Sequence, residues 1–494
     1  MSYDPSTRGA LTLLALVYLV LWPLTAALVH HSPPLDMIEG FVWGLHPQAG
    51  YYKHPPLPAW VISASTALFG KHTLALLVLG PLCTWAALAV LWWLARQLMD
   101  ERLAVVSVFL ASTQFYFNLL IPEFNHNVVQ IPLWAASLAL FWTATRSGGL
   151  LWFIALGLSL GLCLLAKYSA TLLYLFMLFW LAVDAESRRN LSLGKVAACV
   201  AAALLVAAPN LIWLVQHDFQ SLNYVQERLG ERLSVAGRLA AAAQFLGAQL
   251  GINLVMLVLA WRLLRPAAGQ GDAPPSPAAR FLLGSVLLPV LASLAVPLIG
   301  GRPLRDMWGM MMFTTLALAL VCWRPEAFRR LYSRRWMFAW LIFQGATLLI
   351  YAGNVMIKTR VTHSLSRANF PGPELAALIE SDWNAKTGNA PFRYVVGSTW
   401  AAGNVAFFSR ATPDVLINGD FGISPWVDQQ RLQACGYVLL WAPEKQGRET
   451  GPWMAALNPG LPENAAVVRH AGQPALSVPA QWVVVPPTAD CPKT

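Results

Sequence analysis

Pro34-Leu35-Asp36-Met37-Ile38-Glu39, followed at residues 50–60 by Gly-Tyr-Tyr-Lys-His-Pro-Pro-Leu-Pro-Ala-Trp, comes directly after the first long apolar run of the chain, residues 10–29. Asp36 and Glu39 stand three residues apart, so a helix turns both carboxylates to one side. That arrangement suits a general base with a second acid beside it, and it equally suits an acidic pair satisfying the dipole at a helix start. Lys53 and His54, held by Pro55 and Pro56, offer donors to a phosphate; the alternative is long side chains snorkelling at a membrane surface.

Outward from this block the chain is apolar. Of its 494 residues 57% are hydrophobic and 12% charged, with a mean hydropathy of +0.52, against about 25% charged in a soluble domain. Disordered, coiled-coil, collagen-like and disulfide-dense secreted chains are excluded, and a membrane protein is implied. Apolar runs near 10–29, 73–95, 103–121, 128–145, 150–166, 169–184, 195–215, 239–263, 281–299, 304–323 and 336–353 predict about eleven spans. The first run lacks a strongly basic start and reads as an anchor rather than a cleaved signal.

Lys and Arg fix the orientation, because cytoplasmic loops retain positive charge. With the N-terminus inside, the cytoplasmic loops hold Arg96 and Arg102, Arg146, then Arg188, Arg189 and Lys195, then Arg262 and Arg265, and finally Arg324, Arg329, Arg330, Arg334 and Arg335. The formal net charge of +10 is explained by these loops, and no nucleic-acid partner is expected. The Pro/Gly-rich stretch 266–279 reads as a cytoplasmic linker. Residues 30–72, 122–127, 216–238 and everything after about 354 fall outside.

The fold class is therefore an all-α polytopic membrane protein with a small C-terminal periplasmic α/β domain, divided at residues 1–354 and 355–494. In the second part Tyr394–Gly397, 415–417, Tyr437–Trp441 and 482–485 read as buried strands, and 373–386 as an amphipathic helix. No Gly-rich phosphate loop joins a strand to a helix there, so no nucleotide site is read. Cys83, Cys163, Cys199 and Cys322 sit in apolar runs and read as packing; Cys435 and Cys491 can pair if that part is extracytoplasmic.

The acidic pair after the first span and the Tyr-Tyr-Lys-His-Pro-Pro-Leu-x-Ala-Trp block resemble the first extracytoplasmic loop of bacterial GT-C glycosyltransferases of the family 39 type. That family is similar to the protein O-mannosyltransferases and the lipid A aminoarabinose transferases. The likeness continues at Leu165-Ala166-Lys167-Tyr168-Ser169-Ala170, at Pro209-Asn210-Leu211-Ile212-Trp213 and at His217-Asp218-Phe219, and covers most of the membrane part. It implies the GT-C fold and transfer of a monosaccharide from a polyprenyl-phosphate carrier to a lipid A, lipopolysaccharide or other envelope acceptor, at the periplasmic face of the bacterial inner membrane.

Carried over residue by residue, Asp36 matches the catalytic base and Glu39 its acidic neighbour, although Met37 and Ile38 separate two acids that are adjacent in many members. Lys53 and His54 match a charged pair that includes an acidic metal ligand in the aminoarabinose transferases. Lysine cannot fill that place, so a divalent metal is not expected. His217 matches an outer-loop histidine loosely. Chemistry agrees: the base takes a hydroxyl proton while cations stabilise the departing phosphate. Lys53, His54, Lys167, Arg228, Arg302 and Arg305 are the candidate donor-phosphate cations.

Glu123 is a further catalytic candidate in the turn 121–127, with Asn125, His126 and Asn127 beside it. Trp43, Tyr51 and Tyr52 are candidate substrate-lining aromatics, and His30 and His31 form a pair with no third metal ligand at visible spacing. The competing classes are a lipid or glycan transporter or flippase and a non-catalytic subunit of GT-C shape. No internal repeat is visible, and polar residues gather at the outer ends of the spans, which favours an interfacial enzyme.

Overall fold

A computed structural model describes residues 5–264, 275–362, 365–443, 451–488 and 491. Arg265 and most of the 266–279 linker lie outside the described residues, so their reading has no structural counterpart. Among the described residues, six helices are long and apolar enough to cross a membrane: Thr7–Val29, Thr73–Leu98, His126–Ser147, Leu193–Gln216, Pro277–Leu298 and Arg334–Ile357. The pair Val235–Ile252 and Leu254–Trp261 meets at a 67° bend. Asn253 sits at that break, and its side-chain amide donates at 2.9 Å to the Gln249 carbonyl that its own backbone N–H reaches at 3.2 Å. The runs at 150–166 and 169–184 are separate shorter helices, Leu150–Ala166 and Ala170–Val183.

Two predicted spans do not form. The helix in the 103–121 run covers Glu101–Ala111 only, and turns follow. Asn118 donates to the carbonyls of Ser112 at 2.6 Å and Gln114 at 2.9 Å, while the Tyr18 hydroxyl donates to the Phe117 carbonyl at 2.8 Å. In the 304–323 run only Leu316–Trp323 is α-helical. Ahead of it Gln249 donates to the Asp306 carbonyl at 2.8 Å and Gln114 to that of Phe313 at 3.1 Å. Irregular backbone survives at this depth because buried side chains supply the missing partners. Conversely Leu57–Phe69, 13 residues inside the predicted outer loop, is an apolar helix.

The helix Arg334–Thr362 runs through the boundary expected at 354–355, and the sheet begins well after it. Strands β1 (Tyr394–Gly397), β2 (Asp414–Ile417), β3 (Tyr437–Trp441), β4 (Asn464–His470) and β5 (Gln473–Val485) stand in the order β2-β1-β3-β5-β4. β1 pairs in parallel with β2 and β3, and β5 runs antiparallel to β3 and β4. The four predicted strands are present, and β4 and the start of β5 add to them. Cys435 and Cys491 form a disulfide.

This domain packs on the membrane part through the helix Thr399–Phe408. A methyl at Gly403 would fall 2.5 Å from Ile38 and 3.1 Å from Val42, so glycine lets the helix lie against Leu35–Gly44. Phe407 meets Phe41 edge-on at 5.0 Å.

Candidate active site

The Leu35–Gly44 helix begins after Pro34, whose carbonyl accepts the N–H groups of Met37 and Ile38 at 3.1 Å. Met37, Ile38, Phe41 and Val42 are its buried apolar face. That anchoring splits the acidic pair: Asp36 remains accessible, whereas Glu39 is buried. Asp36 nevertheless stands among packed elements, so it lines an open recess rather than an outer surface. Burial raises its carboxyl above the usual range, partly offset by Lys53, Arg367, a hydrogen bond from Asn125 and Lys167.

Tyr51 and His54 exchange backbone hydrogen bonds at 3.1 and 3.2 Å, closing a tight turn that projects Lys53. The Lys53 ammonium lies 2.5 Å from Glu39 Oε1, 5.1 Å from the Tyr52 ring and 5.8 Å from that of Tyr224. Burial pulls its pKa down, but Glu39 and Tyr52 outweigh this and hold it above the usual lysine value. Lys53 is therefore a fixed cation. The His54 ring lies against that of His126 at 3.9 Å, and burial lowers the His54 pKa.

Asn125 caps the His126–Ser147 helix, its side-chain oxygen accepting from the N–H groups of Asn127 at 2.9 Å and Val128 at 3.2 Å. This presents Asn127 to Lys167, whose ammonium donates to Asn127 Oδ1 at 2.5 Å and stands 5.6 Å from the Trp308 ring. Lys167 occupies the break after Leu150–Ala166, and its carbonyl accepts from Gln130 at 3.0 Å. Burial pushes its pKa down to about 7, with Asp36 opposing. Glu123 is accessible in the same recess; burial raises its pKa, as does Asp36, while Arg367 lowers it. Arg228 acts on Glu39 and His54 from the Gln220–Arg228 helix.

The recess thus unites Asp36, Glu39, Lys53, His54, Tyr52, Glu123, Asn127, Lys167 and Arg228. Other candidates fall elsewhere. Trp43 and Tyr51 are buried, stacked at 4.9 Å, so they support the site from behind and line no substrate path. His217 is exposed and stacks on Trp213 at 4.3 Å. Among the described residues, neither Arg302 nor Arg305 makes a side-chain hydrogen bond or ion pair with the recess; the Arg302 N–H donates to the Val296 carbonyl at 3.3 Å. Sequence reasoning missed Arg367, Trp308 and Tyr224. Tyr224 precedes Arg228 by one helical turn, so helical spacing could have found it; Arg367 comes from the far side of the chain and had no such signal.

An apolar cavity of about 340 Å³ lies between helices, lined by Phe153, Leu156, Tyr174, Leu204 and Leu211 among others. It shares no residue with the recess and carries none of its chemistry. Three candidate metal ligands, His31, Glu374 and His470, also lie together outside the recess.

The fold is that of the GT-C glycosyltransferases, built as a multi-pass membrane protein with a small sheet domain at its C-terminal end. It is similar to ArnT from Cupriavidus metallidurans bound to undecaprenyl phosphate, with a TM-score of 0.65 at 15% identity, covering 96% of this chain and 98% of that one. Residues 53–213 match the profile of the family described as dolichyl-phosphate-mannose-protein mannosyltransferase. The chain is 28% identical over 243 residues to the lipid A galacturonosyltransferase RgtD of Rhizobium johnstonii, covering 48% of this chain and 50% of that one. Against the lipopolysaccharide core galacturonosyltransferase RgtB of the same organism it is 23% identical over 466 residues, covering 88% and 89%. The match to RgtD thus spans half of that relative's length.

Proposed function

We propose that this chain is an integral-membrane glycosyltransferase that moves a monosaccharide from a polyprenyl-phosphate carrier to a hydroxyl on lipid A, the lipopolysaccharide core or another envelope glycan. The observation that carries this is an accessible Asp36 ringed by Lys53, Lys167 and Arg367 in one recess. Asp36 accepts the proton of the acceptor hydroxyl as its oxygen bonds to the anomeric carbon. The bond from that carbon to the phosphate oxygen breaks, and the polyprenyl phosphate leaves with the electron pair. Lys53, already ionised, and Lys167, which gains charge when a phosphate arrives, stabilise the leaving group. Glu39 neutralises and aims Lys53; Glu123 serves the acceptor side.

The names of RgtD and RgtB support a lipid A or core acceptor and make an acidic hexose the first donor sugar to test. That of ArnT supports an undecaprenyl-type carrier. A periplasmic recess and C-terminal domain, with the N-terminus in the cytoplasm, is supported by the distribution of Lys and Arg and by the Cys435–Cys491 disulfide, a bond of oxidising compartments. The test is mass spectrometry of lipid A and core oligosaccharide from cells lacking the gene, complemented with wild type or Asp36→Asn. A glycan mass restored by wild type and not by folded Asp36→Asn supports the reading. Restoration by both overturns the mechanism, and no envelope difference at all overturns the function.

A further inference from the structure

We propose that His31, Glu374 and His470 form a zinc-type divalent metal site that fastens the C-terminal domain to the membrane part. The three come from distant places: His31 just beyond the helix Trp22–Val29, Glu374 in the first turn of Gly372–Thr387, and His470 at the end of β4. Their ligand atoms all lie within 4.8 Å of one another. His31 Nε2 is 2.9 Å from both carboxylate oxygens of Glu374, a hydrogen bond that a tetrahedral ion with bonds of about 2.0–2.1 Å would replace by a separation of roughly 3.4 Å. The His31 and His470 rings pack against each other at 3.9 Å, a contact that disfavours charge on both and keeps their nitrogens close together.

Two imidazoles and one carboxylate are a zinc donor set that leaves the fourth position to water. The side chains of His31 and Glu374 are 27% and 21% accessible, which leaves room for that water. The Ala471 N–H donates to Glu374 Oε1 at 2.7 Å, an outer contact of the kind that orients a ligating carboxylate. His470 Nδ1 accepts the Gly472 N–H at 3.0 Å. A neutral imidazole has one lone pair, so the ion takes the one that Gly472 holds, and that exposed N–H passes to water.

The site has a structural consequence. The N–H groups of His31 and Ser32 donate to the Ala368 carbonyl at 2.6 and 3.2 Å, and the Ser32 hydroxyl donates to that of Phe370 at 2.8 Å. A metal at His31 therefore pins the segment that carries Arg367 to the recess. This site is separate from the position where Lys53 stands in place of an acidic ligand, and it does not depend on the glycosyltransferase reading.

The test uses the full-length chain in detergent, stripped with chelator and re-equilibrated with Zn²⁺ alone, with metal content and Tm measured. About one zinc per chain is expected, with Tm raised by the ion. His470→Ala and Glu374→Gln bind at least about tenfold more weakly, His470→Cys retains zinc, and Asp36→Asn binds like wild type. Zinc uptake by His470→Ala equal to wild type overturns the proposal, as does loss of zinc in Asp36→Asn. Should His470→Ala fail to fold, the wild-type Tm decides, and no change on stripping and refilling overturns the site.

Discussion

The recess around Asp36 and the 300–306 turn were predicted to share one face of the membrane and one role, since both offer cations beside an acid. They end differently. Lys53 and Lys167 are enclosed, each against a specific oxygen, on Glu39 and on Asn127. Arg305 and Asp306 are exposed, and Asp306 is engaged through its carbonyl, with Gln249 at 2.8 Å and Tyr116 at 2.9 Å. Topology places a charge on a face; only packing that removes water makes a nearby charge strong enough to serve chemistry. Substitutions in the two regions should differ by orders of magnitude.

The sharpest break comes from Asp36→Asn. Amide cannot accept the hydroxyl proton, and kcat/KM should fall by about 100- to 10,000-fold, measured as sugar transfer to isolated lipopolysaccharide with folding checked by Tm. A loss under tenfold would remove the distinction between the two regions. Next is Lys53→Met, which deprives the phosphate of a cation and leaves Glu39 buried and unpaired. Stability should drop by about 3 kcal/mol, read by thermal unfolding in detergent. The double variant Lys53→Met with Glu39→Leu should recover that stability but not the activity, separating support of the fold from support of the leaving group.

Legibility divides along similar lines. Asp36 and Glu39 could be read because helical spacing is local, and the strands Tyr394–Gly397 and Tyr437–Trp441 because buried β-branched runs are continuous. The Lys53–Glu39 contact spans 14 residues across a turn, a separation that local spacing does not reveal, so the sequence points to a direct role for each. The failed spans at 103–121 and 304–323 show what hydropathy omits. Asn118, Gln114 and Gln249 spend their amides on backbone carbonyls, and an average over apolar residues does not register this. Leu57–Phe69 was overlooked for the converse reason, since 13 residues fall short of about 20. His31 looked like half of an idle pair because its partners lie over 300 residues later.

Arg367 tests whether the C-terminal domain belongs to the recess. Asp36 must be ionised to work, and its pKa is raised, so kcat/KM should climb as pH passes that raised value. It should fall again as Lys167, at about 7 without donor, loses its proton, giving a bell in the free enzyme. Arg367 lowers the Asp36 pKa. Arg367→Ala should therefore move the acid side of the bell to higher pH, with the loss of kcat/KM largest at the acid end of the profile. An unmoved acid side would show that the domain covers the recess without tuning it.

The smallest effect should come from Arg302→Ala and Arg305→Ala. Their charges face no partner in the recess among the described residues, and exposed charges in water contribute about 0 to 1 kcal/mol even when paired. Each variant should keep activity within about twofold, with the pH profile unmoved. The informative quantity is salt dependence. If either arginine steers the anionic carrier toward the recess from a distance, its loss lowers kcat/KM at low ionic strength and has no effect where the Debye length falls below about 10 Å. A tenfold loss that persists at high salt would instead require direct contact with the phosphate. It would mean that the 300–306 turn closes onto the recess when donor binds, and the two regions would then be one site.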